Sequence, residues 1–273
     1  MQSSAIITVF GVLFIVLILV YRIQALHTKK IWNLSIQQII FLILIPGIVF
    51  PMIFSYLQST VRLPKSESSI ISDGFLVNTI LLSIMYSYGG IAIHAVTKMF
   101  SNYLKEKDSE IAQVNKFFHL TFSHNLVYSG MAISSLGITL LELNHIPNNQ
   151  PASIGWGIFR GLVLGLSFAI FIYYYTRASS SNEYRGRWGD LKMLFGVIWI
   201  SFSLLLYIVQ KFDIGFSEYQ LLLPMFLSFA LLAGLSLILV IRRLKNGSFR
   251  IELTNKIKRI FSKKSSRTPH SYL

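Results

Sequence analysis

Seven stretches of this chain are apolar and about as long as a bilayer is thick: about 5–21, 35–57, 75–97, 119–142, 154–176, 191–210 and 219–241. A spanning helix needs roughly 17–25 such residues. Hydrocarbon offers no hydrogen bonds, so each run must satisfy its own backbone, which an isolated segment does only as a helix. The composition agrees, with 53% hydrophobic residues and only 13% charged. No polar stretch is long enough for a separate soluble domain. The sequence therefore predicts an all-α integral membrane bundle of about seven helices.

Charge supplies an orientation. The segments after spans 1, 3, 5 and 7 hold 21 lysines and arginines, against three (Arg62, Lys65 and Lys211) after spans 2, 4 and 6. The positive-inside rule then places the N-terminus outside and the C-terminus in the cytoplasm, which an odd number of spans requires. Trp32, Trp156 and Trp188 fall near span ends, where amphipathic rings are at home. The expected domain is residues 1–241. It includes a cytoplasmic helical extension of span 3 at about 98–118, where Leu104, Ile111, Val114 and Phe118 recur at helical spacing. Residues 242–273 form a tail with ten Lys/Arg against Glu252 alone. Phe249, Leu253, Ile257 and Ile260 line one face of a helix there, suited to the anionic inner leaflet of a cell membrane. Nucleic acid is not an expected partner, because no groove-reading element or aromatic platform accompanies the basic residues.

Several chemistries are excluded. The chain has no cysteine, hence no disulfide, zinc thiolate, iron–sulfur cluster or thiol nucleophile. Span 7 lacks a lysine for a Schiff base, no predicted span contains an aspartate, and no G-x-S-x-G, H-E-x-x-H or P-loop pattern occurs. Nothing points to an enzyme.

The candidate residues are polar groups inside spans. Span 5 carries Gly157, Gly161 and Gly165 at intervals of four, and span 4 carries Gly130, Ser134 and Gly137. Small residues at that spacing let helices approach closely, which predicts a tight pair of spans 4 and 5 or a homo-oligomer interface. Arg160 lies beside that stripe, with Glu142 as its expected partner; snorkelling to the headgroups or an anionic ligand are the alternatives. His94 near the inner end of span 3, and His119 and His124 in the first turns of span 4, converge on one leaflet. Asn125 and Tyr128 continue the polar track as candidate ligand or proton-path residues. Five residues turn an α-helix about 140° past a full turn. His119 and His124 are thus expected to diverge, either one being able to meet His94. A haem or metal ion held by His94 and His124 is a further option. Gly89-Gly90 is expected to loosen span 3, and Pro46 and Pro224 to kink spans 2 and 7.

Three functions fit. One is a binding, signalling or scaffold protein engaging a cytoplasmic partner, or a partner membrane subunit, through the extension and tail. Another is a small transporter or channel-like protein using a polar cavity between helices 3, 4 and 5. The third is a haem- or metal-bearing redox protein.

Overall fold

A computed structural model describes residues 3–66, 69, 71–101, 103–104, 109–146, 152–177 and 192–245. Its helices are α1 (Ser3–Arg22), the short α2 (Gln24–Thr28), α3 (Ile36–Thr60), α4 (Asp73–Ser101), α5 (Glu110–Leu143), α6 (Ile154–Arg177), α7 (Lys192–Phe212) and α8 (Leu222–Lys245). Five of them, α3, α4, α5, α7 and α8, are long and apolar enough to cross a membrane. α1 and α6 are helices of 20 and 24 residues. Contacts divide the chain after Ala233. The description below concerns residues up to that point; of the second unit the structure describes the end of α8. The tail beyond Lys245, Trp188 and residues 105–108 lie outside the described residues.

The only strands among the described residues precede α3. Lys30–Ile31 (β1) and Leu34–Ser35 (β2) form a hairpin whose two-residue turn holds Trp32 and Asn33 at φ 50° and 64°. Such turns require left-handed residues at both central positions. Ser35 then caps α3. Its hydroxyl accepts from Gln38 N at 3.2 Å while the Gln38 side chain accepts from Ser35 N at 2.8 Å, a reciprocal capping box. The Gln38 amide also donates to Ala95 O at 2.9 Å, tying the start of α3 to α4.

α5 occupies the interior. In its spanning window 67% of residues are buried, against 17% for α3 and 22% for α4. It packs most extensively on α4 and also on α7, while α1 packs on α6 and α3. The α4–α5 contact is set by two glycines. A methyl carbon placed on Gly130 would sit 2.5 Å from Ser83 O, and one on Gly90 would sit 2.7 Å from Ser123 O. Both distances are shorter than van der Waals contact, so only glycine fits. Ser87 Oγ then reaches across to Val127 O at 3.0 Å.

Several sequence expectations are corrected here. α4 runs unbroken through Gly89-Gly90; Gly90 serves close approach, not a break. Gly157, Gly161 and Gly165 face Leu223, Pro224 and Leu231 of α8 rather than α5, and Gly130 and Gly137 face α4. The two small-residue stripes thus serve two different helix pairs. Pro224 lies in the first turn of α8, where no intrahelical donor is lost, so it produces no mid-helix kink. The turns at Glu110–Lys116 belong to α5, not to an extension of α4, which ends at Ser101. Ile111 and Val114 stand mostly exposed there.

Two π turns interrupt the α-helical ladder, at Ile40–Leu44 in α3 and Phe117–Phe122 in α5. The first is followed by Pro46, which has no N–H to offer Leu42 O, four residues back. The Tyr88 hydroxyl of α4 donates to that carbonyl at 3.2 Å.

Gly130→Val is expected to destabilise the protein by about 1–3 kcal/mol through overpacking. Gly89→Ala, with no atom within 4 Å of the new carbon, should be neutral or stabilising. Thermal unfolding of both variants in one detergent checks the difference.

Candidate ligand-binding site

The second π turn decides how the histidines meet. Bonding from i to i+5 adds one residue to the turn, so residues five apart lie about one turn apart instead of diverging by 140°. His119 and His124, at that spacing across the turn, both reach His94 on α4. The His94 and His119 rings stack with centroids 4.2 Å apart and planes 21° apart, and the His94 and His124 centroids are 4.9 Å apart. The expectation that only one of the pair would meet His94 fails, because it assumed α-helical geometry.

The ring nitrogens are tied to backbone. His94 Nδ1 is 3.2 Å from His119 O, and His119 Nδ1 is 3.2 Å from His94 O, a reciprocal pair across the helix interface. His124 Nδ1 lies 2.6 Å from Leu120 O in its own helix. A carbonyl only accepts, so each Nδ1 carries its hydrogen and donates. In the neutral ring Nε2 is then the lone-pair atom. Thr97 Oγ1 stands 3.0 Å from His119 Nδ1, and Asn115 Nδ2 donates to Thr97 O at 3.1 Å. Tyr128 stacks on His124 at 5.8 Å and meets Phe168 of α6 edge-on at 5.6 Å.

This arrangement does not suit the haem option. Axial histidines stand on opposite faces of a porphyrin, and two rings in tilted contact at 4.9 Å leave no room for its plane. Nor is any group of three His, Cys, Asp or Glu side chains placed to hold a metal ion among the described residues.

What these rings border is a cavity of about 820 Å³ lined by α1, α3, α4, α5, α6 and α8. That volume lies in the range of small-molecule sites, about 300–1,000 Å³. Most of its wall is apolar, with Phe41, Ile45, Met131, Phe168 and Phe229 among the larger contributors. Hydroxyls of Ser87, Ser134, Ser135 and Ser228 are spread along the wall, but the amide and basic groups gather where α4 ends and α3 and α5 begin. There Gln37, Gln38, His94, Lys98, His119 and His124 line it, with Gln24 and His27 of α2. We call this the histidine end.

The other candidates lie elsewhere. Asn125 does not line the cavity; its amide donates to Thr121 O at 2.9 Å. Three hydroxyls of α5 are likewise bonded within their own helix: Ser123 to His119 O at 2.5 Å, Ser134 to Met131 O at 3.0 Å and Thr139 to Ser135 O at 2.9 Å. Ser134 also borders the cavity. Arg160 does not. Its guanidinium carbon stands 5.7 Å from the Trp156 ring centre, a cation–π contact. Glu142 Oε2 instead accepts from Leu221 N at 2.8 Å, a negative group at the start of α8. Among the described residues no ion pair joins Arg160 to Glu142. Glu142 faces Tyr219, whose phenol is pushed up by burial, by Glu218 and by Glu142.

The end opposite the histidines holds a group that the sequence reading missed. Asp73, the first residue of α4, accepts from Asn144 Nδ2 at 3.0 Å, pairs with Lys65 Nζ at 3.1 Å and lies 3.6 Å from His145 Nε2. Asn144 also donates to Ile71 O, and His145 Nδ1 stands 3.0 Å from Leu63 O. Backbone bonds Ser66 N to Asn144 O at 2.8 Å and Ile146 N to Pro64 O at 2.9 Å close the same knot. Asp73, Asn144 and His145 are buried. These residues sit in loops or at a helix end, where no periodicity marks them; a short polar run with an aspartate just before an apolar stretch was the available signal.

No protein-family model, no curated protein and no solved structure matches this chain.

Asp73→Ala is expected to cost about 1–3 kcal/mol, since it removes the acceptor of the buried Asn144 amide. Lys65→Met should cost under about 1 kcal/mol, its side chain being 62% exposed. Chemical denaturation of both variants in mild detergent measures the contrast.

Proposed function

We propose that this chain is a seven-span cell-membrane protein that binds a small amphipathic molecule in its intramembrane cavity, either to sense it or to move it. The observation that carries this reading is the cavity: about 820 Å³, apolar along most of its wall and hydrogen-bonding at one end. A mostly apolar wall with amide, imidazole and ammonium groups together at one end suits an amphipathic molecule. In this reading α1 and α6 also cross the bilayer. The histidine end lies toward the cytoplasm, as the excess of lysine and arginine on that side requires. The Asp73 knot then lies toward the outer face.

The partner-engaging reading rests on the basic tail, whose residues beyond Lys245 lie outside the described residues. It remains compatible with ligand binding, since a sensor needs an output surface.

Two measurements test the proposal. The chain has no cysteine, so single cysteines report topology without background. Leu63→Cys and Asp213→Cys should react with an impermeant maleimide on intact cells, and Thr28→Cys and Tyr103→Cys only after permeabilisation. Labelling of Thr28→Cys from outside would overturn the orientation. For the site, a neutral solvatochromic dye should bind the purified protein, and Ala132→Phe, which fills the cavity wall, should weaken that binding at least tenfold. Equal binding by a folded Ala132→Phe protein would remove the cavity from the function.

A further inference from the structure

The charge of the cavity's lining is one-sided. The members that can carry positive charge are His27, His94, Lys98, His119 and His124, and neither aspartate nor glutamate is among the lining residues. Lys98 is half-buried near the end of α4, and among the described residues no carboxylate forms an ion pair with its ammonium. A half-buried ammonium that lines a cavity without a carboxylate is placed to meet an anion.

Gln37 supplies a second, independent observation. It is 5% exposed and lines the same end of the cavity, yet its amide makes no hydrogen bond among the described residues. Its neighbour Gln38 is fully engaged by Ser35 and Ala95. Gln37 and Lys98 line the same end of the cavity, and neither side chain has a hydrogen-bond or ion-pair partner among the described residues, so both are placed to meet an acceptor on a ligand.

We propose that the ligand is an amphipathic anion with a single hydrocarbon tail. Its acidic head accepts hydrogen bonds from Lys98 Nζ and the Gln37 amide, and its tail runs along Phe41, Met131, Phe168 and Phe229. This rests on the ligand-binding reading above and adds the sign, the orientation and the recognising residues. The head is an anionic oxygen group, a carboxylate or a phosphate monoester. A cationic head would meet Lys98 with no acidic group to receive it. A cavity of 820 Å³ accommodates one such chain rather than a two-tailed phospholipid.

The test measures equilibrium binding to the full chain in nanodiscs of zwitterionic lipid, using oleate, oleoyl lysophosphatidate, oleyl alcohol and oleylamine. At least one of the two anions should bind ten or more times tighter than the alcohol and the amine. The tighter anion identifies the head as carboxylate or phosphate. Lys98→Met should reduce anion affinity to that of the alcohol while leaving the alcohol unchanged, and Lys98→Arg should retain it. Gln37→Leu should weaken the anion about three- to tenfold. Lys98→Gln serves as a second variant should Lys98→Met fold poorly by thermal unfolding. Alcohol or amine binding as tightly as both anions would overturn this proposal while the cavity reading stands. Anion affinity unchanged in folded Lys98→Met or Lys98→Gln would overturn it equally. If no amphipath binds and Ala132→Phe leaves dye binding intact, both readings fall.

Discussion

The close approach of α4 and α5 is the contact on which the rest depends. Lipid gives helices no hydrophobic reason to associate, so packing must supply the attraction. Gly90 and Gly130 allow it by removing the side chains that would hold the backbones apart. That approach places Ser87 within reach of Val127 O and brings the His94 and His119 rings to 4.2 Å. It also brings the Asp73 end of α4 beside Asn144 at the end of α5. One helix pair therefore carries the histidine end of the cavity at one of its ends and the Asp73 knot at the other.

The π turn of α5 is the second determinant. An α-helix would direct one of its two histidines away from α4. The additional residue in the turn lets both face His94, and the carbonyl acceptors then fix which nitrogen of each ring bears hydrogen. With their Nδ1 atoms committed to backbone, the rings form a wall at the same end of the cavity as Lys98 and Gln37, whose side chains have no protein hydrogen-bond or ion-pair partner among the described residues. The Tyr88–Leu42 bond next to Pro46 has the same logic: a helix irregularity frees a backbone group, and a neighbouring helix answers it.

Reading single helices from sequence worked where the signal was local and failed where it required a partner. Apolar runs marked α3, α4, α5, α7 and α8 because the cost of burying polar backbone in lipid is paid within each segment. The small-residue stripes were visible, but a stripe carries no label for the helix it meets, and Gly161 faces Pro224 rather than α5. Arg160 and Glu142 were opposite charges in adjacent spans, yet each found nearer company, Arg160 with Trp156 and Glu142 with Leu221 N. Lys98 was counted as one more inner-side cation, and Gln37 was not singled out.

The sequence by itself determined the membrane character, the approximate helix limits and the asymmetry of positive charge, because hydropathy and charge are summed residue by residue along the chain. Tertiary structure alone decided which helices touch, that His119 and His124 share a face, and that a mostly apolar cavity ends on a lysine with no ion-pair partner among the described residues. Those facts depend on backbone irregularities and on atoms distant in the chain meeting within a few ångströms. No one-dimensional pattern encodes that geometry.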